Sequence, residues 1–366
     1  WLLDAKCQMA AMESTGSYWK PLYNIFELSQ LEIMVVNARD MRNLPGRKTD
    51  VKDAEWIADL LQHGMLRASY IPKRKQRELR ELSRYRKSLI GERARELNRL
   101  QKMLEGGNIK LASIVSDING KSSRNLLQKM LEKDTRLQRE DVEASLHGAL
   151  RHRVEDIVRA VDGFLTPLQK QLIRQVVAHI DDMTKRIGEM DTLVKQYMGE
   201  YEEAMEKLDE IPGIGKQSAE TILAETGLDM SRFPSEKHLS SWAGLAPGNN
   251  ESAGKRHSGK TTKGNPTLKT TLIQCAKAAI KKTDSFLSAQ YQRLVVRRGK
   301  HRATVAVAHT MLIAIYHMLK DGRLFIDLGA EYYNQFNRER KIKSYLAKLK
   351  KLGWTPEEAT LSGSTT

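Results

Sequence analysis

The sequence predicts an α/β layer at the amino terminus, followed by long helices and a mainly helical carboxyl-terminal region. Strand and helix patterns alternate over residues 8–72, which is typical of an α/β layer with a partly parallel sheet. An unbroken heptad pattern covers residues 173–201, which indicates a helix with one long apolar seam. A Pro-Gly turn at 211–215 then opens a further helical region.

The amino-terminal elements follow directly from the residue pattern. Short apolar runs bounded by turn residues predict strands, and apolar spacings of three and four predict helices. Pro72 closes the last short strand, and a basic amphipathic helix with a leucine stripe follows it. In chain order the predicted elements are strand 8–13, helix 18–29, strand 32–38, helix 51–62, short strand 66–72 and helix 73–105.

The heptad pattern is the strongest periodic signal in the chain. Its apolar residues recur at alternating spacings of three and four, which predicts a coiled coil. Two partners fit it: an intramolecular helical hairpin, since 153–164 also reads as helical, or a dimer seam. We favour a coiled coil that contributes to self-association. The seam residues are Ile173, Val176, Ile180, Met183, Ile187, Met190, Val194, Tyr197 and Tyr201.

The segment IPGIGKQSAETILAETG has the pattern of a helix-hairpin-helix motif. Glycines at 213 and 215 permit a tight turn, and the free N–H groups of the next helix can hold a phosphate. Gly213, Gly215 and Lys216 are therefore candidate nucleic-acid contacts. A plain helix–helix turn is the alternative interpretation.

A stretch rich in Gly, Asn, Ser and Lys covers residues 240–269. A long segment without periodicity in a compact domain is typically functional or disordered. Trp242 is expected to anchor this loop to its domain. Helices are predicted after it at 268–281, 285–297 and 304–320.

The chain is strongly basic, with a formal net charge of +16. Residues 73–102 hold twelve Lys and Arg against four acids, and residues 255–302 hold thirteen against Asp284 alone. Ordinary solvated helix faces mix both signs, so this bias predicts a polyanionic partner, and nucleic acid fits better than a membrane. No apolar run approaches the roughly 18 residues of a membrane span.

Two cysteines, Cys7 and Cys275, have apolar neighbours in the sequence. They are interpreted as reduced, buried, structural residues of a cytosolic protein. With 366 residues, the chain is expected to hold two or three domains.

Three carboxylates are candidates for a metal site. Glu13 ends a predicted strand, and Asp50 and Asp53 lie three apart at the start of a helix, so these two project from one helical face. Oxygen ligands without a Cys/His cage suit hard cations such as Mg²⁺, which commonly serve phosphodiester chemistry. The alternative for the Asp pair is a helix start that complements the helix dipole.

Ser252 lies in NNESAGKR, a short turn followed by Lys255 and Arg256. A serine hydroxyl needs a base, a metal or a charge-stabilising environment to act as a nucleophile. The two cations can neutralise a phosphate under attack. His257 has no evident orienting acid, and Ser252 or Ser258 taken alone reads as an ordinary loop serine.

The motifs taken together resemble a known family. ESTG, GRKTDVKDAEWIADLL, IPGIG and GLAPGNNESAGKRHSGKTTKGNP occur in the order found in the one-ten and eleven-eleven insertion-sequence transposases. These are DEDD transposases, described as RNA-guided serine recombinases that use a bridge RNA. The resemblance covers nearly the whole chain.

The resemblance implies three domains: a RuvC-like (RNase H fold) domain over 1–112, a helical linker and coiled coil over 113–206, and a serine transposase domain over 207–366. It implies Mg²⁺ bound by Glu13, Asp50 and Asp53, with Ser252 as the serine that becomes covalently linked to DNA. The family's first aspartate has no counterpart here, since Asp4 has the wrong context. We therefore expect the opening strands of the sheet to be missing and the metal site to be weakened.

The implied partners are donor and target DNA, a guide (bridge) RNA and further copies of the chain, as a dimer or tetramer, in the cytoplasm of a bacterial or archaeal cell. Backbone contacts of Lys and Arg position nucleic acid but do not read its sequence. The candidate nucleic-acid-binding residues are Gly213, Gly215, Lys216, Lys255, Arg256, Lys260, Lys263, Arg47 and Lys48.

Two other functions stay open at this point. A RuvC-like, structure-specific DNA endonuclease would use the carboxylates with metal-activated water and leave Ser252 idle. A non-catalytic nucleic-acid-binding scaffold would leave the acids inert.

Overall fold

The computed structural model describes residue 2 and residues 4–37, 50–248, 250–252, 255–258, 260–261, 263–333 and 338–354. The chain divides into two compact units, Trp1–Arg74 and Lys75–Thr366. The described elements are β1 (Met9–Glu13), α1 (Trp19–Phe26), β2 (Glu32–Val36), α2 (Asp50–Gln62), α3 (Arg74–Gly106), α4 (Lys121–Glu132), α5 (Arg139–Ser145), α6 (Val154–Ala160), α7 (Pro167–Tyr197), α8 (Glu202–Asp209), α9 (Lys216–Thr226), α10 (Glu236–Trp242), β3 (Asn250–Ser252), β4 (Lys255–Ser258), α11 (Pro266–Ala279), α12 (Phe286–Arg298), α13 (Lys300–Asp321) and α14 (Arg338–Lys351).

The amino-terminal unit is a small α/β layer. Strands β1 and β2 are parallel, with Met9 opposite Glu32 and Glu13 opposite Val36, and α1 connects them. This confirms the predicted strand–helix alternation and the parallel pairing. The predicted short strand 66–72 forms only an isolated antiparallel bridge, in which Ala68 faces Val36.

Two long helices of the second unit run antiparallel to each other. The Lys75 ammonium lies 2.9 Å from the Glu200 carboxylate just beyond the end of α7. Further along α3, the Arg93 guanidinium donates to the Thr184 hydroxyl at 3.3 Å. Residue numbers thus rise on α3 as they fall on α7. Thr166 caps the start of α7 with a capping box, and Pro167 occupies its first turn.

The first part of the heptad seam of α7 packs within the chain. Ile173, Ile180 and Met183 belong to one core cluster with Leu100 of α3 and Ile157 of α6. All nine predicted seam residues are buried or half-buried. Over residues 173–183 the predicted seam is therefore an apolar face that packs within the chain, while the coiled coil and its role in self-association stay predictions. Residues of α3, α4 and α6 share this cluster, and α3 was not predicted among them, because a periodic stripe does not reveal which distant helix it faces.

Replacing Ile180 with alanine tests this intramolecular packing. Ile180 is fully buried, so its truncation is expected to lower the free energy of unfolding by roughly 2–5 kcal/mol. Thermal or denaturant melts at several protein concentrations measure it. Leu172→Ala on the same helix, where the side chain is 48% exposed, is the matched control with a small effect. An unfolding midpoint that rises with protein concentration in the unmodified protein and loses this dependence in Ile180→Ala would place the seam between subunits instead.

Helix α13 is the central helix of the carboxyl-terminal region. It packs against α10, α11 and α12, and Val307, Met311 and Ile315 on it are fully buried. By length and composition alone, it is the one helix in the described part of the chain that could cross a membrane. Half of its apolar window is buried inside the protein, as expected for a core helix.

The two cysteines are free thiols. Cys275 on α11 is buried, whereas Cys7 is half-buried. Burial raises the pKa of the Cys275 thiol, which keeps it protonated and unreactive. The structural interpretation of Cys275 is therefore confirmed, and Cys7 is more accessible than predicted.

Candidate active site

Glu13 lies at the carboxyl end of β1, where parallel strands commonly present ligand-binding side chains. Its side chain is half-buried, and the Thr15 hydroxyl donates to its carboxylate. The backbone N–H of Ser14 continues the pairing to Val36 O at 2.8 Å. Strand pairing thus fixes the backbone on both sides of the carboxylate.

The two aspartates lie in the first turn of α2, which packs against β1. Asp50 is the first residue of the helix and Asp53 lies three residues on, so the backbone places both on one face. Asp53 is half-buried. The side chain of Asp50 lies outside the part of the chain that the structure describes.

The carboxylates of Glu13 and Asp53 are suitable ligands for a divalent cation. Neither Glu13 nor Asp53 forms an ion pair with any described residue, so neither carboxylate is neutralised by a lysine or arginine there. Carboxylate oxygens are the ligands that hard cations prefer. No group of three potential metal ligands occurs among the described side chains, which exclude Asp50. Two of the three predicted ligands thus belong to one packed strand–helix pair.

Ser252 is the last residue of β3, the first strand of an antiparallel hairpin. It lies directly opposite Lys255, and Glu251 lies opposite Arg256. The sequence predicted a loop here, because the strands are short and lack alternating apolar residues. The pairing places the backbone of two cationic residues beside that of the serine; their side chains lie outside the described residues.

The base of this hairpin is closed by backbone hydrogen bonds. Gly248 N–H donates to Lys260 O at 3.0 Å, and Pro247 bridges Thr261. Asn265 N–H donates to Trp242 O at 2.9 Å. The Trp242 ring contacts Phe233 with ring centroids 5.5 Å apart, so Trp242 anchors the loop as predicted.

Gly264 is required at the base of the hairpin because two backbone segments meet there. A Cβ on Gly264 would lie 2.2 Å from the backbone nitrogen of Gly244 and 2.6 Å from Trp242 O. Distances this short to backbone atoms cannot be relieved by moving a side chain. The glycine therefore permits the crossing of the two ends of the hairpin segment.

The side chain of Asn265 connects this base to a buried carboxylate. Its Oδ1 accepts from Thr267 N and Leu268 N at 3.1 Å each and caps α11. Its Nδ2 donates to Glu225 Oε2 at 2.6 Å. Glu225 is on α9, and its side chain is 1% exposed.

Two arginines of α3 complete this arrangement. Arg84 donates from Nε and Nη2 to the two carboxylate oxygens of Glu225, at 2.7 and 2.8 Å. Arg80 Nε lies 3.6 Å from Glu225 Oε2 and its guanidinium stacks over the Trp242 ring. Hydrogen bonding to Glu225 raises the pKa of Arg84. We call Arg80, Arg84, Glu225 and Asn265 the Glu225 cluster; sequence reasoning missed it, because its members are far apart in the chain.

The predicted helix-hairpin-helix segment forms a turn between α8 and α9. Gly213 has φ +85°, and a Cβ there would lie 2.3 Å from Cys275 O of α11. Gly213 is thus needed for packing against α11. Gly215 has open space around it and lies just before the first residue of α9, Lys216, which is exposed.

The remaining basic candidates differ in how far they are described. Lys260 and Lys263 are exposed beside the base of the hairpin. Lys255 and Arg256 are placed in β4 by their backbone alone. Arg47 and Lys48 lie outside the described residues.

Comparison with known proteins gives matches in both halves of the chain. A DEDD-type transposase model of the IS110 group matches residues 2–109, and a model described as the transposase family IS116/IS110/IS902 matches residues 205–292. The insertion element IS110 uncharacterized 43.6 kDa protein of Streptomyces coelicolor is 26% identical over 310 residues, which cover 77% of this chain and 73% of that protein.

The matched regions hold the carboxylate layer and the turn, hairpin and helices around Ser252, and together they define a DNA transposase. This class of enzyme cuts and rejoins DNA. The chain belongs to the IS110 family of transposases. The DEDD match also implies an RNase H-like fold and dependence on a divalent metal for residues 2–109.

Proposed function

We propose that the chain is an RNA-guided DNA recombinase that acts through a covalent phosphoserine intermediate at Ser252. The observation that carries the proposal is that a DEDD match and an IS116/IS110/IS902 match occur in one chain, with carboxylates in the first and Ser252 in the second. A loop serine alone lacks an activator, and a metal held by the carboxylates could supply one.

In the proposed step, the Ser252 oxygen attacks a DNA phosphorus atom. A serine–phosphorus bond forms, the bond from phosphorus to a deoxyribose oxygen breaks, and the serine proton leaves as the departing oxygen gains one. Lys255 and Arg256, opposite or next to the serine in the hairpin, would neutralise the phosphate charge. The phosphoserine keeps the energy of the broken phosphodiester, so rejoining needs no ATP.

Glu13, Asp50 and Asp53 would hold Mg²⁺ in this proposal. When bound, the ion would stabilise negative charge on phosphate oxygens. The half-buried positions of Glu13 and Asp53 would limit competing water around these carboxylates. The Thr15 hydroxyl, which donates to the Glu13 carboxylate, would help to orient it.

The basic surface would hold the DNA and RNA backbones. Lys216, Lys260 and Lys263 are exposed, and Gly215 opens the amino terminus of α9, whose free N–H groups suit a phosphate. Sequence choice is assigned to base pairing with a guide RNA, since backbone contacts carry no sequence information.

Assembly as a dimer or tetramer, in the cytoplasm, stays part of the proposal. Residues 173–183 of the heptad seam already pack within the chain. An interface between copies would therefore use the rest of the seam or another surface. The division into three domains, with boundaries at 112 and 206, also stays a proposal. The structure divides the chain into two compact units with a boundary after Arg74.

The RNA requirement is tested by purifying the protein from its host and sequencing the RNA that remains bound. We expect one structured RNA species, whose removal with nuclease abolishes strand exchange between donor and target duplexes. Adding the purified RNA back should restore exchange. Exchange that continues at full rate without RNA would overturn the guided mechanism.

A further inference from the structure

The Glu225 cluster joins three elements that are distant in the sequence. Arg80 and Arg84 belong to α3, Glu225 is the next-to-last residue of α9, and Asn265 precedes α11. A buried carboxylate is costly unless charged donors satisfy it. Two Arg84 bonds and one Asn265 bond satisfy the Glu225 oxygens, which fixes the geometry of all three side chains.

Asn265 is the member that reaches the serine hairpin. Its backbone N–H binds Trp242 O on the opposite side of the hairpin base, and the next residue before it is Gly264, which lies against Gly244. A shift of Asn265 therefore moves both ends of the segment that carries Ser252. Lys269 strengthens the same end, because its ammonium donates to the Thr261 hydroxyl at 2.6 Å.

We propose that the Glu225 cluster is a positioning device, in which α3 holds Asn265 through Glu225 and thereby fixes the direction of the serine hairpin. Glu225 and Asn265 are positioning residues and need not touch DNA. The proposal rests on the nucleophilic role of Ser252 proposed above. Catalysis depends on this kind of placement, since a displacement of about 1 Å can cost a hundredfold in rate.

Asn265→Asp removes the hydrogen bond between residue 265 and Glu225 and leaves the rest of the cluster unchanged in sequence. Aspartate caps a helix as well as asparagine does, so α11 keeps its cap, whereas the amide donor to Glu225 is replaced by a repelling oxygen. We expect the rate of covalent protein–DNA adduct formation at saturating DNA to fall about a hundredfold, with unchanged DNA affinity. A general loss of folding would instead lower the amount of active protein and leave the rate per active molecule unchanged.

Two further variants control the measurement. Combining Asn265→Asp with Glu225→Gln keeps the net charge of the cluster and restores one hydrogen bond, with donor and acceptor exchanged. The adduct rate of this double variant should be at least about tenfold higher than that of Asn265→Asp alone. Glu220→Gln alters a second buried ion pair between α9 and α3, in which Arg86 lies 2.7 Å from Glu220. It should leave the adduct rate per folded molecule unchanged.

Hydrogen exchange gives a readout that does not require catalysis. Asn265→Asp should speed hydrogen exchange at the backbone N–H groups of residues 248 and 265, which close the hairpin base. Glu220→Gln should leave exchange at both positions unchanged. A wild-type adduct rate in Asn265→Asp together with unchanged exchange would overturn the positioning role and leave the proposed function intact. Failure of the wild-type protein to form any adduct would refute the proposed function, while the exchange result still decides whether the cluster holds the hairpin.

Discussion

Replacing Ser252 with alanine is expected to abolish the covalent protein–DNA adduct and to lower strand cleavage by at least about a thousandfold. The substitution removes only the hydroxyl oxygen, so the hairpin pairing of Ser252 with Lys255 should persist. Denaturing electrophoresis of the protein with labelled donor DNA measures the adduct, and the same samples report cleavage.

Ser258→Ala is the matched control for this experiment. Ser258 ends the second strand of the same hairpin, opposite Asn250, so the two variants make the same chemical change in the same β-structure. We expect Ser258→Ala to retain adduct formation. Cleavage that continues in Ser252→Ala without an adduct would indicate attack by water and favour the endonuclease alternative.

Replacing Asp53 with asparagine is expected to lower strand cleavage by at least about a hundredfold, because a neutral amide binds a divalent cation more weakly and stabilises less charge. DNA affinity should change little, since the substitution adds no negative charge. Chelation of divalent ions should have the same effect on the unmodified protein. Cleavage assays with and without added Mg²⁺ measure both.

Asp59→Asn is the matched control on the same helix. The Asp59 side chain is 66% exposed and lies 3.4 Å from His63, so it belongs to the solvent-facing side of α2. Thermal melts supply a second readout: Mg²⁺ should raise the melting temperature of the unmodified and Asp59→Asn proteins but not that of Asp53→Asn. Undiminished strand exchange in Asp53→Asn would show that the acids have an accessory role.

Periodic parts of the fold could be predicted from the sequence. The leucine stripe of α3 and the seam of α7 are buried or half-buried, because 3.6-residue periodicity leaves one side for packing. Strands β1 and β2 were predicted from their apolar runs. The pairing of α3 with α7 could not be predicted, because Arg93 and Thr184 are far apart in the chain and a heptad pattern does not name its partner.

The candidate site was predictable only where residue chemistry carries a signal. Glu13, Asp50, Asp53 and Ser252 stood out because carboxylates near turns and a serine among cations indicate chemistry. Glu225 carried no such signal, since an acid near the end of a helix is ordinary until its burial is known. The hairpin itself was missed because strands of three and four residues lack a detectable alternation.

The antiparallel pairing of α3 and α7 also constrains how the protein can change length during evolution. With 33 residues, α3 is roughly 50 Å long at about 1.5 Å per residue. One inserted residue would rotate everything beyond it by about 100° and turn either the Glu225 cluster or the α7 contacts to the wrong side. Insertions should therefore be tolerated mainly as whole heptads added to both helices at matching positions.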